Sequence, residues 1–179
     1  MQTTDSEEII NSVRDWLENV VIGLNLCPFA KKEYVKQRIR FQLIDVSSDE
    51  DLLLALNQEL EYLFANDEVE TSLLILPNHL QNFVDYNQFL DLADALIEQM
   101  DFLGEFQVAS FHPDYQFADT EVDDLENYTN RSPYPILHIL REASLENAIA
   151  RYPDVEKIPD NNIALLESMG IEKIKELYL

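Results

Sequence analysis

The chain of 179 residues is 46% hydrophobic and 26% charged and has one cysteine. This fits one globular domain over residues 1–179 that needs neither disulfide nor metal, since a domain near this size buries roughly 68–70% of its unfolded surface. Thirty-five acids against 12 bases give a net charge of −23, which argues against nucleic acid or an anionic membrane surface as the partner.

In chain order, Ile9, Val13, Trp16, Leu17, Val20, Val21 and Leu24 recur at helical spacing, with Thr4 or Ser6 as cap. Residues 35–46 read as a strand. Ser48, followed by Asp49, Glu50 and Asp51, caps a second helix carrying Leu52, Leu53, Leu56, Leu60, Leu63 and Phe64. Residues 71–76 form a continuous apolar run ending at Pro77, as expected of an inner strand covered on both faces. A third helix runs from Phe83 to Met100, with Gly104 as its left-handed terminator. Residues 106–112 give a third strand. Residues 135–141 read as a fourth strand, with a helix from Pro135 as the alternative, before Ser144 caps a helix through Tyr152. One or two helices, divided at Gly170, close the chain.

This order implies a single α/β domain with a mixed sheet of about four strands, helices packed on it, and a long functional loop between strands three and four. No run of about 18 apolar residues is present. The N-terminal stretch is acidic (Asp5, Glu7, Glu8) where a secretion signal would be basic, so the chain reads as cytoplasmic. The bases are unevenly spread: residues 41–130 hold 21 acids and no Lys or Arg. Lys31, Lys32, Lys36, Arg38 and Arg40 cluster after Cys27, and Arg131 ends the acidic stretch. Either group could hold an anion.

Four places could carry chemistry. Cys27 caps a new helix if that helix starts at Pro28, which favours thiolate. It meets a helix C-terminus, which opposes thiolate, if the first helix runs through Leu26. The plainest alternative is a small buried apolar residue. His112 ends a strand beside the long loop, where an acid–base or ligating group is well placed. His138 reads as a satisfied core histidine and His79 as a surface cap. Asp119, Glu121 and Asp123 copy the start of a calcium loop, but Asp124 stands where glycine is needed and Asn130 where glutamate is, so no metal site is assigned. Arg131 offers a planar fork for a carboxylate or phosphate, with Asn130 and Ser132 to complete the hydrogen bonds and Tyr115 and Tyr128 to line a pocket. With three glycines in all, a glycine-rich nucleotide loop is absent, and the cofactor is left open.

The segments 23–30, Phe111-His112-Pro113 with Tyr115-Gln116-Phe117-Ala118, 127–135, and Leu140-Arg141-Glu142 together resemble a mostly bacterial family known as domain of unknown function 1415. The resemblance implies a single-domain protein and groups Cys27, His112, Asn130 and Arg131, without a reaction. Two functions follow as expectations. One is a small-molecule enzyme with Cys27 as nucleophile or redox centre, His112 as acid or base, and Arg131 with Asn130 anchoring a small anionic substrate. The other is a non-catalytic module that binds a ligand, metal, haem or protein partner.

Overall fold

The computed structural model describes residues 2–178, with side chains from Asp5 onward. Four strands, β1 (Ile39–Leu43), β2 (Thr71–Ile75), β3 (Phe106–Phe111) and β4 (Ile136–Arg141), make one mixed sheet in the order β1-β2-β4-β3. β1 and β2 run parallel, while β4 is antiparallel to both β2 and β3. Every residue of β2 is buried, which is why its sequence runs apolar instead of alternating. Residues 135–141 thus supply a strand, and the helical alternative falls away. Paired to β2 on one side and β3 on the other, β4 joins the two halves of the sheet.

One face is covered by two long helices, α3 (Asp49–Ala65) and α4 (Phe83–Gln99). Ser48 Oγ accepts the Asp51 amide at 3.2 Å, and Asp49, Glu50 and Asp51 fill the positive first turn of α3. Leu52, Leu56, Leu60 and Leu63 then fall on one stripe, each fully buried and each worth roughly 1.5–3 kcal/mol of burial. α4 is capped by Asn82 and presents Tyr86, Phe89, Ala93 and Ile97 to the same core. Tyr86 Oη donates to the Ile136 carbonyl at 2.7 Å and accepts from the Phe111 amide at 3.1 Å, tying α4 to β3 and β4. Gly104 is not the residue that ends this helix. Asp101 takes the left-handed conformation (φ 61°), and the Asp101 and Phe102 amides close on Glu98 and Ile97, so an aspartate stands in the position glycine usually fills.

The other face carries α1 (Gln2–Trp16), which widens into π-type turns over Leu17–Ile22. Here the amides of Gly23 and Leu26 reach back five residues, to Glu18 and Val21, at 2.9 Å. The helix begins upstream of Ser6, which is therefore not its cap; the Thr4 side chain lies outside those described. Val13, Trp16, Leu17, Val20 and Val21 pack on Leu73, Ile75 and Ile136. The strand expected over residues 35–46 is shorter, because Val35 ends α2 (Ala30–Val35) and Gln37 takes a left-handed turn before β1. α5 (Glu142–Arg151) starts directly from β4, so Ser144 lies inside its first turn and no side chain caps it. α6 (Ile158–Met169) and α7 (Ile171–Leu177), divided at Gly170, pack Leu166 and Ile174 against Tyr128 of the long loop. Among the described residues no helix is long and apolar enough to cross a membrane.

Candidate functional site

The polar loop that looked most like a recognition segment is bonded to itself. The Arg131 guanidinium donates through Nε to the Tyr115 carbonyl (3.3 Å) and through Nη2 to the Val122 carbonyl (2.6 Å), and lies 4.2 Å over the Tyr128 ring. Asn130 Nδ2 donates to the Ser110 carbonyl, and Ser132 Oγ to the Tyr134 carbonyl. Tyr128 is buried, and the Tyr115 ring packs on Phe83 and Phe117. Asn127, which sequence reasoning passed over, is the hub: its Oδ1 accepts from the Phe117 amide and the Thr120 hydroxyl, and its Nδ2 donates to Glu121. A fully buried asparagine with all these bonds pins the long loop around its one short 3-10 helix, Leu125–Thr129.

His112 belongs to the same framework. It is fully buried, and its Nδ1 accepts the Asp114 amide at 3.0 Å, so Nε2 carries the proton that is donated to the Leu80 carbonyl at 3.0 Å. Burial holds its pKa below the ordinary histidine value. Its ring lies against Phe83 and Tyr86 of α4. Cys27, in contrast, packs with α1 on the opposite face of the sheet. The structure therefore does not bring Cys27 together with His112 and Arg131.

Cys27 instead lines a cavity of about 670 Å³ on the α1 face. Its floor is the sheet, through Leu73, Ala109, Phe111, His138 and Leu140; Trp16, Leu17 and Val21 form one wall. Residues 27–30 and α5, through Leu145, Ala148 and Arg151, make the others. An edge-to-face contact between Phe29 and Tyr152, with centroids 5.4 Å apart, joins the Cys27 turn to the end of α5. α5 contributes no buried residue of its own, so its apolar side chains meet the cavity where a core would be.

Cys27 sits in the turn before α2, neither as its cap nor at the end of α1; the cap position is Phe29. The nearby Phe29 and Ala30 amides favour thiolate, but burial outweighs both and raises the thiol pKa. The thiolate expected of a helix cap is not favoured. His138 also departs from expectation. Neither ring nitrogen finds a hydrogen-bond partner among the described residues, its nearest ring is Phe111 at 6.0 Å, and burial pushes its pKa down to about 4. It is half-buried because the cavity reaches it. The Trp16 indole N–H is buried without a hydrogen bond of normal geometry, and it approaches the Tyr178 hydroxyl, away from the cavity lining.

The cavity rim reverses the sign of the protein. Lys32, Arg38, Arg141 and Arg151, four of the chain's 12 bases, line it with only Glu33 and Glu70 of its 35 acids. Arg38 is held by both glutamates at 3.0 Å, and Arg141 donates to the Leu63, Asn66 and Val69 carbonyls. Lys32 pairs with Glu33 at 3.6 Å but is 67% exposed, and Arg151 makes no ion pair or hydrogen bond among the described residues, so these two cations are the ones a ligand can reach. No cluster of three His, Cys, Asp or Glu that could hold a metal occurs among the described residues.

The model of the family described as protein of unknown function (DUF1415) matches residues 8–176. The chain belongs to that family. No curated protein and no solved structure matches it. The DUF1415 match spans both the sheet-face cavity and the long loop, so the functional reading rests on the chemistry of those two regions.

Proposed function

We propose that this protein binds a small, largely apolar anion in the cavity between the sheet, α1 and α5. The observation that carries the reading is a hollow of about 670 Å³ with aromatic and aliphatic walls, edged by Lys32 and Arg151 in a chain of net charge −23. Small-molecule sites are mostly apolar clefts of roughly 300–1,000 Å³ with a few polar groups that orient the ligand. An apolar body would fill the space that α5 and the Trp16 wall leave open, and the charged end would meet Lys32 and Arg151 at the rim. A protonated thiol and a neutral imidazole support binding over thiolate or acid–base chemistry. A catalytic use of the cavity would draw on Cys27 and His138 instead of His112.

The test is a titration with 1-anilinonaphthalene-8-sulfonate (ANS), an apolar anion whose fluorescence rises in dry surroundings, followed also by the emission of Trp16, the single tryptophan. The expected result is saturable one-site binding with quenching of Trp16, weakened about tenfold when Lys32→Glu and Arg151→Glu are combined. Unsaturable binding, or affinity indifferent to the charge reversals, would remove the proposal.

A further inference from the structure

His138 is half-buried, and it stands apart from the buried polar side chains in having no partner of its own. His112 has both ring nitrogens bonded, Asn127 makes three hydrogen bonds, Thr71 donates to the Ile139 carbonyl, Ser72 to Glu59 and Ser132 to Tyr134. His138 stands on inner strand β4, opposite Leu73 on one side and Ala109 on the other, and has no partner among the described residues. A leucine at this position would fill the same space on an apolar floor, whereas the imidazole keeps a donor and an acceptor that no described residue engages. The ring lines the cavity. The cavity is therefore the side from which a hydrogen-bond partner can reach it.

We infer that the ligand carries, away from its charged end, an uncharged oxygen function, a carbonyl or a hydroxyl, that hydrogen-bonds His138. The inference rests on the cavity being the binding site. A neutral imidazole offers one donor and one acceptor, which suits a ketone through its N–H or a hydroxyl through either nitrogen. It offers no charge for an anion, and with burial holding it uncharged down to about pH 4 the anionic end is left to Lys32 and Arg151. The ligand class is thus an oxo- or hydroxy-substituted aliphatic acid or a close analogue. Cys27 is a neighbour of this site and takes no covalent part in it.

The experiment displaces ANS with octanoate and with a set of oxo- and hydroxyoctanoates in which the oxygen is moved stepwise along the chain. With the wild-type protein, at least one substituted acid is expected to compete about five- to tenfold better than octanoate, the worth of one hydrogen bond. His138→Leu should abolish that preference while retaining octanoate, and His138→Asn should restore part of it. Should either variant fold poorly, the ring nitrogen resonances of His138 in the wild-type protein give the same answer, shifting with the preferred acid and not with octanoate. Octanoate and every substituted acid binding equally, or a preference that survives His138→Leu, would overturn the inference and leave the cavity reading standing. Failure of all the acids and of ANS to bind would take both down.

Discussion

Trp16 and Cys27, the single tryptophan and the single cysteine of the chain, line the same cavity. One residue therefore reports its occupancy by emission and the other by accessibility. Because burial raises the Cys27 thiol above its ordinary range, alkylation by iodoacetamide should be slow at pH 7 and climb only above about pH 8.5. Saturating ANS should slow it at least about tenfold further, since a ligand at many times its Kd leaves little of the free form. Intact mass assigns the product to Cys27 alone. Fast labelling at neutral pH that ANS does not affect would return the thiol to the catalytic reading.

His138 predicts an acid sensitivity. Its pKa is about 4 in the folded protein and about 6.5 in an unfolded chain, so between those values the unfolded state binds a proton that the native state refuses. Stability contributed by the neutral ring is therefore intact above pH 6.5 and lost as pH falls toward 4, by roughly 3 kcal/mol in all. His112 shifts in the same direction but is present in both proteins when wild type is compared with His138→Leu. Urea unfolding of the two at pH 4.5 and 7.5 should show the variant losing about 2–3 kcal/mol less on acidification. Parallel losses would mean that His138 titrates normally.

Most of the architecture was legible because it depends on local signals. The stripe of Leu52, Leu56, Leu60 and Leu63 behind Ser48, the run at 71–76 and the break at Gly170 each announce an element through its own residues. The site was less legible, because hydrogen-bond partners are set by register and packing. His112 next to a proline and a polar loop looked catalytic, yet the carbonyl that engages it comes from Leu80, 32 residues upstream. His138 sits among aliphatic residues, as a core histidine does, and only the pairing of β4 with Leu73 and Ala109 shows that it lacks a partner. The density of polar residues at 127–135 signalled a loop that must satisfy its own backbone, and that demand consumed the very groups that could have held a substrate. One signal for the cavity was present: bases clustered at 31–40 in an acidic chain.

Gly23 makes the wide turn that carries the chain from α1 to Cys27. A Cβ there would stand 2.3 Å from the Asn19 carbonyl oxygen, well inside contact distance, and the obstacle is backbone that cannot step aside. Gly23→Ala should destabilise the fold by about 1–3 kcal/mol and, by displacing the turn, weaken ANS binding and speed Cys27 labelling. The glycine's φ is −61°, so the requirement is one of space and not of backbone conformation. Gly104→Ala is the contrasting variant: nothing stands within 4 Å of its Cβ, and its strain comes from a positive φ of 82° in an exposed turn that does not line the cavity. It should lower stability without changing ANS affinity, whereas equal effects of both variants on ANS would mean that the π-type turns do not shape the site.

Arg131 separates a scaffold role from a ligand role. Its fork spans two loop carbonyls, of Tyr115 and Val122, while its flat face covers Tyr128, whose ring packs on Tyr178 and whose carbonyl accepts the Tyr178 hydroxyl. Arg131→Ala removes two charge-assisted bonds and a cation–π contact together. The expected loss is about 2–4 kcal/mol, which for a chain of this size lowers Tm by roughly 4–16 °C. Arg131→Lys keeps the charge but has no fork to bridge two carbonyls, so it should recover less than half of the loss. Because neither Arg131 nor its partners line the cavity, ANS affinity should stay within about twofold of wild type in both variants, measured well below their melting temperatures. A large loss of ANS affinity with Tm unchanged would show instead that the loop, and not the sheet face, holds the anion.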